Sequence, residues 1–234
     1  KVRLTWSRVG NDIPMFITNP KAHVTAGGGI NAADAAPGTE LKPEMTQAVE
    51  AGLEWRFFGD RLGVNATYYK TNTRNQFFKL PALSGEAYAF RYENAGNIEN
   101  EGVEISLNAY PVYGKALTWQ STVNFSYNKN RVIKLHDELR EYVYGPSSFS
   151  SSYAMKLVEG GSIGDIYGRA FERDENGAIV YETDGDYAGL PRTRGEGNTV
   201  KVGNANPVFA LSWNNTFSYK GVSLSMLVDC RYGG

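Results

Sequence analysis

The side chains that most often perform acid–base or metal chemistry are few in this sequence. It contains two histidines, His23 and His136, and one cysteine, Cys230. Each histidine falls in a predicted long connection with no cysteine or second histidine close by, so a surface position is favoured over a metal ligand or a general base. No Ser-His-Asp arrangement can be assembled, and no GxSxG, HExxH or Walker pattern occurs. We therefore predict that the protein is not an enzyme and uses no cofactor or metal.

Aromatic side chains offer a second kind of chemistry, because many of them fall in the predicted long connections. Rings beside Asn, Asp and Arg are a common way to hold sugars or peptides, and equally a common way to pack loops against a partner protein. The sequence favours neither interpretation. The candidate ligand- or partner-binding residues are Phe77, Phe78, Tyr88, Tyr92, Tyr142, Tyr144, Phe149, Tyr153 and Tyr167.

The composition indicates β structure and argues against a nucleic-acid partner. The 24 basic and 25 acidic residues nearly balance, and no basic run is interleaved with aromatics. Aromatic residues make up 13% of the chain, and the 26 glycines add to a mixture that is typical of strands and turns. The single cysteine excludes an internal disulfide framework.

The elements that must position these residues are strands, because seven segments alternate apolar and polar side chains with a period of two. In the clearest of them, Leu117, Val123 and Phe125 fall on one face, while Thr122 and Asn124 fall on the other. The predicted strands lie in VRLTWSRV, QAVEAGLEWRFF, LGVNATYYKTN, GVEISLNAY, ALTWQSTVNFSYN, FALSWNNTFSY and VSLSMLVDCRY.

Short and long connections alternate between these strands. Three connections are tight, and three are long, near residues 10–44, 77–99 and 129–206. An up-and-down outer-membrane barrel has short periplasmic turns and long extracellular loops, and its tilted strands of ~9 to 11 residues cross the hydrocarbon layer. In a compact soluble sandwich, the long connections are not expected to lie all at one end. We therefore predict an all-β fold, a transmembrane antiparallel up-and-down β-barrel, in which residues 1–234 form part of a single domain.

The two faces of the predicted strands differ in charge. The central positions of the apolar face carry no Asp, Glu, Lys or Arg, as expected where a charge would meet lipid at a cost of ~2 to 4 kcal/mol. The opposite face is too polar for the packed interior of a small barrel and suits a wide lumen that is hydrated or plugged. A solvated face of a soluble sheet is the alternative. The predicted lumen-facing charges are Glu50, Glu54, Arg56, Glu104, Asp229 and Arg231.

Four longer motifs occur in order along the chain: LKPEMTQAVEAGLEWRFFGDRLGVNATYYKTNTRNQ, NAGNIENEGVEISLNAYP, GGSIGDIYGRAF and VGNANPVFALSWNNTFSYKGVSLSMLVDCRYGG. They resemble the later barrel region of the SusC/RagA family of TonB-dependent outer-membrane transporters of Bacteroidetes. The resemblance covers most of the chain from about Leu41 onward and touches the opening strand. Since seven strands cannot close a wide barrel in lipid, we expect this chain to be an internal piece of a longer protein.

The resemblance implies a barrel of about 22 strands with a plugged lumen, a segment that engages TonB, and a SusD-like lipoprotein that closes the extracellular mouth. It implies active import of glycan or peptide fragments, driven through TonB, ExbB and ExbD, across the outer membrane of a Gram-negative, Bacteroidetes-like bacterium. Plug, TonB box and last strands would lie outside this chain, so none of their residues is assigned. The alternatives are a single-component siderophore-type TonB-dependent receptor, a passive porin, and a soluble β-rich binding or adhesion module.

Overall fold

The structure is a computed structural model of the chain. It describes residues 1–13, 41–81, 90–137, 139–144, 153–193 and 199–234, together with positions 17, 21, 23, 24, 26–28, 30, 31, 36 and 88. Strands, turns and irregular segments make up these residues, and no helix among them is long and apolar enough to cross a membrane.

Seven long strands form one antiparallel sheet, which we call the wall. They are β1 (Val2–Asn11), β4 (Glu44–Phe57), β5 (Leu62–Pro81), β6 (Phe90–Tyr113), β7 (Leu117–Lys134), β12 (Phe209–Tyr219) and β13 (Val222–Tyr232). Each lies beside the next long strand in the chain, in the order β1-β4-β5-β6-β7-β12-β13. The wall is therefore an unclosed, up-and-down antiparallel sheet, as the sequence predicts.

Four shorter strands form a second antiparallel sheet, which we call the loop sheet. They are β8 (Glu141–Tyr144), β9 (Tyr153–Val158), β10 (Asp165–Arg169) and β11 (Thr199–Asn204), and they pair in the order β11-β10-β9-β8. The loop sheet belongs to the long connection between β7 and β12. A further pair, β2 (His23–Val24) and β3 (Ile30–Asn31), lies in the connection between β1 and β4.

The wall has one apolar and one polar face, because residues that pair across its strands carry side chains of the same kind. One row across all seven strands is apolar and consists of Val2, Leu53, Ala66, Ile105, Phe125, Leu211 and Cys230. The next row, one residue along each strand, is polar and contains Glu54, Asn65, Ser106, Asn124, Ser212 and Asp229. The alternation read from the sequence therefore extends across the whole sheet.

Tight turns join the strands at one end of the wall, which we call the short-turn end. Gly59 and Asp60 have φ angles of 63° and 67°, and Lys220 and Gly221 have φ angles of 44° and 87°. Left-handed residues of this kind give hairpin turns whose twist matches that of the strands they connect. The long connections leave from the opposite end, the long-connection end.

The second long connection, predicted near residues 77–99, is mostly a β-hairpin in the structure. β5 continues to Pro81 and β6 begins at Phe90. Asn75 and Gly96, with φ angles of 61° and 82°, interrupt both strands at the same level. On the short-turn side of this interruption, the odd-numbered Thr73 points to the polar face. On the other side, the even-numbered Phe78 packs with Val132 on that same face. The period of two that identifies a strand is lost there, so the sequence does not reveal the extension.

The third long connection, predicted over residues 129–206, begins later in the chain than expected and contains strands of its own. β7 continues to Lys134, and the loop sheet occupies much of the remainder. Residues 171–193 add a small ladder through the isolated pairs Phe171 with Thr193 and Tyr181 with Pro191. Strands of four to six residues are too short for a convincing alternation, which explains why this sheet was not predicted.

The hydrophobic core of the described residues lies between the loop sheet and the polar face of the wall, at the long-connection end. Phe78, Leu80, Val132 and Leu135 come from the wall and the segment just after β7, and Leu157 comes from β9; each is at most 7% exposed. The loop sheet is therefore packed against the wall.

Candidate functional site: the polar face and its loop sheet

Uncharged amide and hydroxyl groups fill the middle of the polar face and bond to one another. Ser106 Oγ donates to Asn124 Oδ1 at 2.8 Å, and Asn124 Nδ2 donates to Ser212 Oγ at 3.3 Å. In the next row of the polar face toward the short-turn end, Thr122 Oγ1 donates to Asn108 Oδ1 at 2.8 Å. Because each group keeps a lone pair or a proton for water or a ligand, this surface offers many weak contacts.

The six charges predicted for the lumen all lie on this polar face. Glu54 binds Arg56 at 3.0 Å. Glu50, Glu104, Asp229 and Arg231 complete the set, and among the described residues none of these four forms an ion pair. Glu104, Asp229 and Arg231 are exposed and Glu50 is half-buried, so charges without a fixed ionic partner remain available to a ligand or to water.

The side chain of Tyr69 passes over Gly102 on the polar face, and we call this contact the crossing. Tyr69 lies opposite Gly102, and its hydroxyl donates to Asn128 Oδ1 on the far side, at 3.1 Å. A Cβ atom at Gly102 would stand 2.6 Å from the Tyr69 ring and would overlap the Tyr127 carbonyl oxygen. The glycine of the ENEGVE stretch is therefore required by this crossing, which sequence reasoning did not identify.

One of the predicted binding aromatics is a core residue, and a second packs against the core. Phe78 is 3% exposed and lies in the core cluster. Tyr142 packs edge-on against it, with ring centroids 5.0 Å apart and an interplanar angle of 87°. Phe78 is therefore inaccessible to a ligand, and one face of Tyr142 is occupied.

The other predicted aromatics are spread over both sheets. Phe77 lies on β5 and Tyr92 on β6, where the Tyr92 ring contacts Phe90 edge-on at 5.5 Å. Tyr153 and Tyr167 are 47% exposed and half-buried, respectively, on the loop sheet. Half-buried Tyr88 stands in a bend, the backbone of Tyr144 pairs with β9, and Phe149 lies outside the described residues. Phe77, Phe78 and Tyr142 line one cleft, and Tyr88, Tyr92, Tyr153 and Tyr167 lie outside its lining.

The glycine-rich segment 160–164 attaches the loop sheet to the wall. Gly160 N donates to Val132 O, and Val132 N donates to Gly161 O, both at 2.8 Å. Ile163 N donates to Asn130 Oδ1 at 2.6 Å, while Asn130 Nδ2 donates to Asn100 Oδ1 at 2.8 Å. These bonds continue the ladder of β7 into the loop sheet.

A buried carboxylate, which we call the anchor, ties the attaching segment to β11. Asp165 is 1% exposed. Its Oδ2 accepts from Ser162 N at 2.9 Å, and its Oδ1 accepts from Asn204 Nδ2 and pairs with Lys201 Nζ, both at 2.6 Å. Burial, followed by the negative charge of Asp165, raises the pKa of the Tyr167 hydroxyl above its usual value. Sequence reasoning missed the anchor, although an aspartate within GGSIGDIYG was a signal for it.

The apolar face is bounded by aromatic side chains at both ends. At the long-connection end, Tyr68, Tyr127, Phe209 and Tyr232 share one row, and the next row of the same face carries the charges of Lys70, Glu101 and Lys129. At the short-turn end, the Trp119 ring stacks on the Phe217 ring of β12, with centroids 5.5 Å apart. Aromatic girdles of this kind mark the two interfaces of a membrane-spanning barrel.

The height of the apolar band fits a bilayer. Leu117 and Tyr127 bound it on β7, ten residues apart in sequence. At ~3.4 Å per residue and a tilt of ~45°, this length covers about 24 Å, against ~25 Å for the apolar band of outer-membrane barrels.

Two tryptophans cover the polar side chains that lie within this band. Ser121 and Asn215 are directly opposite each other on β7 and β12. Trp213 Nε1 donates to Ser121 Oγ at 2.9 Å, and Trp119 Nε1 donates to Asn215 Oδ1 at 3.0 Å. Each indole thus reaches the polar residue of the other strand, and Asn215 is only 1% exposed.

Comparison with known proteins identifies this architecture. The family described as "TonB dependent receptor-like, beta-barrel" matches residues 2–150. TonB-dependent receptor P3 of Formosa agariphila is 26% identical over 216 residues, which cover 83% of this chain and 21% of that protein. TonB-dependent receptor SusC of Bacteroides thetaiotaomicron is 29% identical over 148 residues, which cover 58% of this chain and 15% of that protein.

The fold also matches a solved structure entitled "Structure of the RagAB peptide importer in the 'open-open' state". The TM-score is 0.76 at 18% identity, over 99% of this chain and 26% of that one. This chain thus spans about a fifth of the first of the curated relatives and about a quarter of the solved neighbour. The family match covers more than half of the chain, and the unclosed antiparallel wall has the expected architecture. The chain belongs to the β-barrel family of TonB-dependent receptors.

Proposed function

We propose that the full-length protein imports glycan or peptide nutrients across the outer membrane by TonB-dependent active transport, together with a SusD-like surface lipoprotein. Barrels of this family are outer-membrane receptors and transporters of Gram-negative bacteria, not an enzyme class. The relatives from Formosa and Bacteroides and the match to a peptide importer support a Bacteroidetes-like host and a large polar substrate.

One observation carries this proposal: among the described residues, the middle of the wall has a polar face of exposed and half-buried side chains, and the opposite, apolar face carries a band as tall as the hydrocarbon layer. In this proposal residues 1–234 form part of one barrel domain, the apolar face meets lipid, and the polar face lines the lumen. The charges of Glu50, Glu54, Arg56, Glu104, Asp229 and Arg231 would then keep the passage hydrated. Weak, replaceable contacts along it permit transit.

The loop sheet would stand at the extracellular mouth, because in such barrels the long connections lie outside and the short turns lie in the periplasm. Exposed aromatics of this region, such as Tyr153, would meet the substrate or the lipoprotein. The energy would come from TonB, ExbB and ExbD acting on parts of the protein outside this chain.

The first test is to tag the full-length protein in its native host, extract the outer membrane in mild detergent, and identify co-purifying molecules by mass spectrometry. A lipoprotein in near-equal amount, with bound oligosaccharide or peptide, is the expected result. A membrane protein without such a partner would instead indicate a single-component receptor or a porin. Recovery in the soluble fraction would overturn the membrane placement.

A further inference from the structure

Charged side chains continue the apolar face of the wall beyond its aromatic row at the long-connection end, and we call them the charged rim. They occupy the next three rows of that face, so they point to the same side of the sheet as the apolar band. Basic side chains outnumber acidic ones in the rim. The basic residues are Arg8, Lys70, Arg74, Lys129 and Arg131, and the acidic residues are Glu99 and Glu101.

The height of the charged rim matches the headgroup layer of a membrane. Lys129 and Arg131 follow Tyr127 on β7 by two and four residues. At ~3.4 Å per residue and a tilt of ~45°, their α-carbons stand about 5 and 10 Å beyond the aromatic row. The headgroup region adds ~5 to 8 Å to each side of the hydrocarbon core. Both long side chains therefore reach the level of lipid phosphates.

The two acidic residues of the rim are bound to a third cation. Lys70 Nζ lies 3.0 Å from Glu99 Oε2 and 3.8 Å from Glu101 Oε2. The same carboxylates lie opposite Lys129 and Arg131 in the register. Among the described residues, however, neither of these two side chains forms an ion pair, a hydrogen bond or a ring contact, and both are exposed. Two neighbouring cations on one strand are thus left for an external anion.

An aromatic surface adjoins this cation pair on the side of the apolar band. Tyr127 on β7 and Phe209 on β12 lie directly opposite each other, and the Phe125 ring lies 5.8 Å from the Phe209 ring, centroid to centroid. Aromatic side chains at this depth contact the ends of lipid chains nearest the headgroup. A molecule with an anionic head and an apolar tail therefore meets both surfaces at once.

We propose that Lys129 and Arg131 bind the phosphate of an anionic lipid in the leaflet around the long-connection end, while its acyl chains pack along Tyr127 and Phe209. A guanidinium group binds two phosphate oxygens side by side, and an ammonium group adds a point charge. A zwitterionic lipid carries its own cation beside the phosphate, so the pair should prefer an anionic headgroup. This inference rests on the proposed membrane placement and adds a lipid partner to it.

The test uses the full-length receptor in dodecyl maltoside micelles and native mass spectrometry to count bound lipids. The probes are dioleoyl phosphatidic acid and dioleoyl phosphatidylcholine, which share their acyl chains. At low salt, the double variant Lys129→Gln/Arg131→Gln should bind phosphatidic acid about 25-fold more weakly than the wild type, or about fivefold for each cation. Binding of phosphatidylcholine should change less than about twofold, because its headgroup has no net charge. Unchanged binding of phosphatidic acid in the double variant would overturn the proposal.

Two matched variants separate this site from a general effect of charge. Arg61→Gln/Lys220→Gln removes two cations near the short-turn end, where each lies over a tyrosine ring, and should bind phosphatidic acid like the wild type. Lys129→Arg/Arg131→Lys keeps both charges and should also retain binding. An equal loss in the first variant, or a full loss in the second, would refute the assigned pair.

Other occupants of the pair give different results. Displacement of phosphatidic acid by inorganic phosphate, but not by chloride at equal ionic strength, would indicate a free anion and overturn the lipid. Loss of the co-purifying lipoprotein in the double variant would indicate a protein partner on this face and overturn it as well. Recovery of the receptor in the soluble fraction would refute the membrane placement itself, whereas a membrane-inserted receptor without the lipid preference would refute only this inference.

Discussion

Replacing Asp165 by asparagine should release the loop sheet from the wall. The carboxylate is buried and accepts from Ser162 N, Asn204 Nδ2 and Lys201 Nζ. Asparagine has almost the same shape but only one oxygen. If that oxygen stays with Asn204 and Lys201, the new NH₂ group faces the N–H of Ser162, so two donors meet.

The size of the effect follows from the bonds that the carboxylate makes. In the variant, the Asp165 charge disappears beside a half-exposed Lys201, and the hydrogen bond to Ser162 N is replaced by an unsatisfied donor. A charge-assisted hydrogen bond contributes ~1.5 to 3 kcal/mol and a buried unsatisfied group costs ~1 to 3 kcal/mol. We therefore expect the opening free energy of the loop sheet to fall by about 3 kcal/mol, within the range for breaking a buried pair.

Hydrogen exchange followed by mass spectrometry on the full-length receptor measures this change locally. For exchange through local opening, a loss of about 3 kcal/mol accelerates the amides of β9 and β10 roughly 100-fold. The amides of β5, which lie in the wall, should not change. The matched control is Asp174→Asn, because Asp174 is an exposed turn residue whose Oδ1 accepts from Asn176 N and Ala178 N and can do so as an amide. If exchange in Asp165→Asn is less than about threefold faster than in the wild type, or if the control is accelerated equally, the assignment of Asp165 as the anchor is refuted.

Three further changes test the wall, each by the yield of folded, heat-modifiable barrel in outer membranes. Leu107→Arg places a charge on the apolar face at a cost of ~2 to 4 kcal/mol and should prevent assembly, whereas Asn108→Arg on the polar face should assemble; equal yields would contradict the assignment of the faces. Gly102→Ala should sharply reduce the yield, because the new methyl group would meet a backbone carbonyl and a crossing ring; wild-type yield would show that the crossing is not required. Trp119→Phe removes the donor to Asn215 and should destabilise the barrel by ~1 to 3 kcal/mol, and adding Asn215→Leu should recover most of it; without recovery, the hydrogen bond is not the cause.

The alternation of side chains sufficed to predict the wall, because each residue there has only two environments. Leu107 and Asn108 are neighbours in sequence, yet one lies on the apolar face and the other on the polar face. The chemical contrast between lipid and water is repeated on every strand, so a period of two is visible without any knowledge of the fold.

That rule fails at the long-connection end, where the polar face is covered by protein. Val132 is fully buried although it shares a face with the exposed Asn128. The left-handed residues Asn75 and Gly96 shift the alternation of the hairpin above them. Aromatic residue types give no help either, since Phe78 packs in the core and Tyr153 is exposed, and nothing local in the sequence distinguishes them.

Strand β7 connects the two parts of the molecule. From Leu117 to Tyr127 it carries the apolar band. Beyond Tyr127 it forms hydrogen bonds with the segment that attaches the loop sheet, through Asn130 and Val132. A strand within a hydrogen-bonded sheet cannot slide by one residue without turning its side chains to the wrong face. In the proposed membrane placement the band sets the height of β7, and the two backbone hydrogen bonds of Val132 to Gly160 and Gly161 fix the loop sheet against β7. The height of the loop sheet is therefore set by the same register that places Tyr127 at the edge of the apolar band.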